Sequence, residues 1–261
     1  MKIALVSLDQ VWQDKAANRQ RCAYYVQLAA ARQVDLVVFP EMTLTGFTMN
    51  TSLIAEDSSD SPSLQFFSEL AAGSKVALAA GVVLRSSDKA TNNLIIVDKQ
   101  GNLLANYAKI HPFSFSGEDT KYNAGDRLVE CVLDGVTIGL TICYDLRFPE
   151  LYQALSVRSQ LILNIANWPE RRVNHWNILL QARAIENQCF IAGVNRVGID
   201  GNNHPYVHSS RCIDPLGVPL QAAWAHNEME VFELNTDEVE PLRAAFPVKK
   251  DRKPDFYKQI L

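Results

Sequence analysis

The chain has 261 residues, 48% of them hydrophobic and 21% charged, with a formal net charge of −4. A chain of this size buries roughly three-quarters of its unfolded surface without a disulfide or metal staple. Its composition excludes disordered, collagen-like and coiled-coil classes, and its mild acidity gives no electrostatic case for nucleic acid or an anionic membrane as partner.

Met1 to Leu8 contains one lysine and a short apolar run, without the apolar core and small-residue cleavage site of a signal peptide. Ile3 to Ser7 reads as a strand. Ala16 to Arg32 carries apolar residues at helical spacing, and Val34 to Phe39 is a buried-type strand stopped by Pro40. Glu56 to Asp60 reads as a solvated loop. Leu64 to Ala72 suggests a helix and Val76 to Leu84 a strand. That window is the most apolar in the chain and spans nine residues, whereas a membrane helix needs about 20.

Asn93 to Asp98 and Leu103 to Ala108 flank a Gly-Asn turn, and Leu128 to Leu133 and Val136 to Ile142 flank Asp134-Gly135; both pairs predict hairpins. Pro149 to Ser156 reads as helix, Leu161 to Ala166 as strand, Trp176 to Asn187 as amphipathic helix and Phe190 to Val194 as strand. Arg211 to Ile213, Val218 to Ala222 and Met229 to Leu234 read as further strands. Pro241 onward is expected to be a tail, with Lys249 to Lys253 exposed. Strand–helix alternation interrupted by hairpins implies an α/β protein with two mixed sheets covered by helices, as one large domain or two halves sharing a core, with no Ser/Gly-rich linker dividing residues 1–261.

Five cysteines stand at 22, 131, 143, 189 and 212, with no C-x-x-C pair. The pattern supports neither a zinc site nor a disulfide framework, and implies a reducing, cytoplasmic setting. Cys22, Cys131, Cys189 and Cys212 are expected to pack as small apolar residues. Cys143 differs. It ends an apolar strand and precedes the helix start at Pro149, and such turns carry ligand sites in α/β sheets. A helix N-terminus would lower the thiol pKa and offer a backbone N–H to an oxyanion. No histidine lies in a protease-like pattern beside it. Glu41 and Lys109 also stand at strand ends, so a carboxylate and an amine are the expected partners.

Phe39-Pro40-Glu41, Lys109-Ile110-His111-Pro112-Phe113 and Cys143-Tyr144-Asp145-Leu146-Arg147-Phe148-Pro149-Glu150 resemble, in order and separation, the three signatures of the nitrilase superfamily of carbon–nitrogen hydrolases. The resemblance implies a four-layer α-β-β-α sandwich, usually dimerised through a helical face. It also implies Glu41 as general base, Lys109 as cationic stabiliser and Cys143 as nucleophile, with Glu118, or alternatively Asp119, as a second carboxylate. Asn167-Trp168-Pro169, Ala182 to Gln188 and Asn195-Arg196-Val197-Gly198 look like the bacterial omega-amidase group, which acts on 2-oxoglutaramate and related 2-oxo acid amides.

On that reading the partner is a small molecule. Glu41 takes the thiol proton, the thiolate attacks the amide carbonyl, and Lys109 with the Tyr144 N–H holds the oxyanion. Ammonia leaves, and water releases the thioester. No metal or organic cofactor is called for. A substrate carboxylate requires a cation; Arg147, Arg171, Arg172 and the Trp168 region are candidates, with Phe47, Phe113 and Phe115 as pocket walls. Arg183 and Glu186, three apart on one helix, are expected to pair structurally. The competing readings are a nitrilase or N-carbamoyl hydrolase, an inert binding protein on the same fold, and a redox thiol protein.

Overall fold

The computed structural model describes residues 1–260. In chain order the first half holds β1 (Lys2–Val6), α1 (Lys15–Ala30), β2 (Leu36–Val38), α2 (Thr51–Ile54), α3 (Pro62–Ser74), β3 (Ala77–Arg85), β4 (Ala90–Val97) and β5 (Leu103–Ala108). There follow α4 (Glu118–Lys121), β6 (Glu130–Leu133), β7 (Val136–Ile142), α5 (Pro149–Leu155), β8 (Leu161–Ala166), α6 (Val173–Asn187) and β9 (Phe190–Asn195). The last part holds β10 (Gly198–Ile199), β11 (Pro205–Tyr206), β12 (Arg211–Ile213), β13 (Trp224–His226), β14 (Met229–Glu233), α7 (Val239–Ala245) and α8 (Pro254–Ile260).

Seven strands form one sheet in the order β13-β14-β1-β2-β3-β4-β5, and five form another in the order β12-β9-β8-β7-β6. Both are mixed: β1, β2 and β3 run parallel, as do β7, β8 and β9, while the outer strands pair antiparallel. The period-two geometry of a strand decides the layering. Ile3, Leu5, Leu36 and Val38 face Ile138, Leu140, Leu161 and Leu163 in one core between the sheets. The alternate residues Ala4, Val6, Val37 and Phe39 turn outward onto Tyr25 and Val26 of α1 and Phe67 of α3. On the other side Ile162 and Ile191 meet Tyr152 of α5 and Trp176 and Leu180 of α6. The result is the four-layer α-β-β-α sandwich.

Three local expectations are corrected. Val218 to Ala222 is not a strand: Pro219 lacks the N–H a ladder needs, and only an isolated bridge to Ile213 forms. Trp224–His226 pairs with β14 instead. The segment beyond Pro241 is not a simple tail, because Pro241 sits in the first turn of α7, where its missing N–H costs nothing. Lys249 is half-buried rather than exposed, and its ammonium donates to the carbonyl and hydroxyl of Ser156 at the end of α5. Burial, then the nearby Arg243 charge, push its pKa down to about 8. Glu56 is likewise not a free loop residue. It pairs with Lys15 at 2.6 Å and accepts from the hydroxyls of Ser61 and Ser63 and the Ser63 N–H, which fixes the start of α3.

The turn after β2 is held by its neighbours. The side-chain amide of Gln10 donates to the carbonyls of Glu41, Met42 and Thr43 at 3.0, 2.9 and 3.2 Å. Gly81 of β3 lies so close that an added Cβ would stand 2.2 Å from Met42 N and 2.8 Å from the Glu41 carbonyl carbon. Gly81→Ala should therefore cost about 2 kcal/mol of stability through overpacking against backbone. Calorimetry should show a Tm lower by roughly 6 °C; an unchanged Tm would mean that the turn is free to move.

Candidate active site

Glu41 follows β2, Lys109 directly follows β5, and Cys143 directly follows β7. Glu41, Lys109 and Glu118 are buried to within 1% of complete exclusion from solvent. The Lys109 ammonium lies 3.0 Å from Glu41 Oε1 and 2.8 Å from Glu118 Oε2. Asn92 of β4, which sequence reasoning missed, donates from Nδ2 to Oε1 of both glutamates, at 2.8 and 3.0 Å. The remaining carboxylate oxygens are also occupied. The Asn167 N–H donates to Glu41 Oε2 at 2.9 Å, and the Phe113 N–H to Glu118 Oε2 at 2.5 Å. The second carboxylate of the cluster is thus Glu118; Asp119 is exposed.

The Cys143 backbone has φ +45°, a left-handed conformation rare for a residue with a Cβ. Such strain persists only where the surroundings over-determine it. Here Asp145, fully buried, supplies the constraint. Its carboxylate accepts from the Ile142 N–H at 2.9 Å, the Tyr107 hydroxyl at 2.8 Å and the His111 N–H at 3.0 Å. One side chain therefore ties the cysteine turn to the segment that carries Lys109. The His111 ring, 2.9 Å from the same carboxylate through Nδ1, stacks on Phe148 with centroids 3.6 Å apart. From the other side Arg183 of α6 donates Nε and Nη2 to the Leu146 carbonyl and pairs with Glu186 at 2.9 Å. The expected Arg183–Glu186 pair exists, and it braces the turn.

Cys143 and Tyr144 line a cavity of about 680 Å³ together with Phe47, Phe113, Arg147 and Trp168. The candidates Arg171 and Arg172 reach it too, so all seven residues expected around the pocket line it, although Phe115 is 80% exposed. The Arg147 guanidinium lies 4.9 Å from the Trp168 ring centroid and that of Arg172 lies 5.4 Å from the Phe113 ring. The opposite wall was not foreseen: Trp12 and the β10–β11 hairpin, with Asp200, His204 and Tyr206. The Tyr206 hydroxyl donates to Asp200 at 2.9 Å, so this acid is satisfied within its own loop. Among the described residues no group of three or more His, Cys, Asp and Glu side chains could hold a metal ion, and no helix is long and apolar enough to cross a membrane.

The electrostatics correct one expectation. The turn was expected to lower the Cys143 pKa; instead burial, then the charges of Glu41 and Glu118, push it well above the ordinary thiol value, with Lys109 opposing. Desolvation pulls Lys109 down, but Glu118 and Glu41 outweigh it and hold the ammonium charged. Glu118 is raised by burial and by Glu41, against Lys109. The resting site therefore favours the protonated thiol. Cys22, Cys131, Cys189 and Cys212 are all buried, and burial raises each of them. In the native protein, iodoacetamide should label Cys143 alone, slowly near neutral pH and faster as pH rises. Peptide mass mapping across a pH series checks this; labelling already at its maximum at neutral pH would contradict the raised thiol.

Residues 2–244 match the family model described as carbon-nitrogen hydrolase. The chain is 34% identical to the omega-amidase YafV of Yersinia enterocolitica, covering 96% of each chain. It is 38% identical to the 2-oxoglutaramate amidase of Paenarthrobacter nicotinovorans, covering 86% of this chain and 80% of that one. Among solved structures, a carbon-nitrogen hydrolase superfamily protein of Xanthomonas campestris with an arsenic adduct in its active site superposes with a TM-score of 0.89 at 34% identity, covering 97% of both chains. With a family model spanning nearly the whole sequence and relatives above 30% identity from end to end, this chain belongs to the carbon-nitrogen hydrolase family.

Proposed function

We propose that the protein hydrolyses the side-chain amide of a small 2-oxo acid, of the 2-oxoglutaramate or 2-oxosuccinamate type, to a carboxylate and ammonia, acting as one catalytic domain over residues 1–261. The observation that carries this reading is the buried Glu41–Lys109–Glu118 cluster, whose charges act on Cys143, together with a cavity that presents Cys143 beside Arg147, Arg171 and Arg172. Glu41 accepts the thiol proton as Cys143 attacks the amide carbon. The tetrahedral oxyanion is held by the Lys109 ammonium and by the Tyr144 N–H, one of the free donors in the first turn after Cys143. Glu41 returns the proton to the leaving nitrogen. Ammonia departs, leaving a thioester, and Glu41 then activates the water that hydrolyses it. Glu118 keeps Lys109 charged and oriented.

Substrate recognition falls to the wall. Arg147 Nη2 stands 3.2 Å from His175 Nδ1, and the guanidinium has no carboxylate partner among the described residues. A 2-oxo acid carboxylate would complete it through charge-assisted hydrogen bonds, with Phe47, Phe113 and Trp168 enclosing the short carbon chain. The names of the omega-amidase and 2-oxoglutaramate amidase relatives support this substrate class.

Ammonia release from 2-oxoglutaramate should be compared with release from nitriles and turnover of N-carbamoyl amines. Only the 2-oxo acid amide should turn over efficiently, and Cys143→Ala should abolish that turnover while the protein stays folded. A slow substrate should leave an acyl mass on the peptide that contains residue 143; an adduct on another cysteine would overturn the assignment. Arg147→Gln should raise KM about tenfold to a hundredfold with a smaller effect on kcat.

The five free thiols suit a reducing, cytoplasmic setting. We also propose a homodimer. Ile178, Ile185, Leu216 and Val218 are between 54% and 66% exposed on and beside α6, and a patch of this kind favours a protein partner. Sedimentation should give twice the chain mass, and Ile185→Glu should give a monomer; a monomeric wild type would end that proposal.

A further inference from the structure

We infer that Asn92 is a positioning residue for the hydrolysis proposed above, a neutral clamp that keeps two buried carboxylates apart and aimed. Asn92 is 1% exposed. It touches all three charged residues of the cluster: its backbone carbonyl accepts from the Lys109 N–H at 2.8 Å, and its Nδ2 donates to Oε1 of Glu41 and of Glu118. Its own Oδ1 is buried with no hydrogen-bond partner. A side chain that leaves a buried acceptor orphaned while spending both donors on carboxylates is costly as plain packing.

The charge arithmetic explains the choice of residue. Glu41 and Glu118 meet a single ammonium, and the second carboxylate remains uncompensated in a low-dielectric site. A second lysine at 92 would neutralise the cluster and draw Glu41 away from the thiol. An aspartate would add a third negative charge. The amide supplies two N–H dipoles without a net charge, which favours the ionised carboxylates and fixes the two Oε1 atoms on one nitrogen. Glu41 Oε1 is thereby saturated by Asn92 and Lys109. Oε2, which accepts only from the Asn167 N–H, is left with capacity for the Cys143 proton. The other titratable groups around Glu41 are Lys109, Glu118, Cys143 and Tyr122. The Tyr122 hydroxyl donates to the Thr48 carbonyl and is committed elsewhere.

Removing the amide has two effects of opposite sign. The carboxylates lose two donors, so a proton on them becomes more favourable, and transfer from the Cys143 thiol becomes easier. At the same time the base loses its aim. In Asn92→Ala the labelling of Cys143 by iodoacetamide at neutral pH should speed up several-fold. Turnover of the 2-oxo acid amide should fall, with kcat down by about 10²-fold and KM little changed. Asn92→Ser, which keeps one donor, should lie between. A merely structural role would lower kcat and thermal stability together and open the buried Cys22, Cys131, Cys189 and Cys212 to labelling as well as Cys143, and that outcome, or unchanged kcat, overturns the inference. Labelling needs no substrate. If the wild-type protein fails to turn over any 2-oxo acid amide, the substrate reading falls, and the labelling rates still decide the role of Asn92.

Discussion

The structure depends on one expensive interaction, the ammonium of Lys109 held between Glu41 and Glu118, all three buried from the protein surface. Removing one carboxylate and one ammonium from water costs several kcal/mol per ion, and their attraction offsets this only when geometry is excellent and every remaining lone pair is satisfied. This cluster adds a further carboxylate. A fold gains no stability from such an arrangement that well-packed leucines would not match, so its presence is explained by chemistry rather than by folding. The surroundings show the cost being met. Asn92, the Asn167 N–H and the Phe113 N–H reach the carboxylate oxygens from three different parts of the chain.

The double sheet makes that convergence possible. Glu41 and Lys109 belong to the seven-stranded sheet and Cys143 to the five-stranded one. Packing the sheets through a common apolar core brings these strand ends together with no room to slide, because interiors are packed as densely as crystals. Asp145 then joins the two at the site itself, since its carboxylate accepts from β5 through Tyr107 and from the end of β7 through Ile142. The left-handed turn at Cys143 is stored strain held by these bonds and by Arg183 behind them. In the proposed reaction it aims the sulfur into the cavity, while the carboxylates stay beneath.

Much of this was legible in the sequence because it follows from local rules. Apolar runs ending before Glu41, Lys109 and Cys143 marked strand ends, and hairpins interrupting the strand–helix alternation marked two mixed sheets. What was not legible depends on the third dimension. Asn92 lies just outside the strand read from Asn93 and carries no signal until β4 is placed beside β5, and Gln10 carries none until its amide meets the turn after β2. The β10–β11 hairpin has too few residues to show a period, so the second cavity wall was invisible. The Cys143 pKa was misjudged for a related reason: a helix start is a local feature that lowers it, whereas burial and two carboxylates brought from distant segments raise it more.

The net charge takes on a sharper meaning once the site is divided. At −4 the protein as a whole does not attract an anionic 2-oxo acid. Within the site the charges are sorted. The buried cluster holds two carboxylates and one ammonium, and is negative, or neutral when one carboxyl keeps its proton, as the upward shift of Glu118 favours. The wall holds Arg147, Arg171 and Arg172. Burial, and next the charge of Arg171, disfavour the charged form of Arg172, so a bound anion would relieve like-charge crowding there. An amide that carries a carboxylate has one orientation that suits both regions, with its carboxylate at the arginines and its neutral amide against the thiol. The reversed orientation would press a carboxylate onto Glu41 and Glu118 in a low-dielectric pocket, where like charges repel most strongly. The same sorting acts on the product. In the proposed reaction hydrolysis creates a second carboxylate near the cluster, and its repulsion from Glu41 would favour release once the thioester is cleaved.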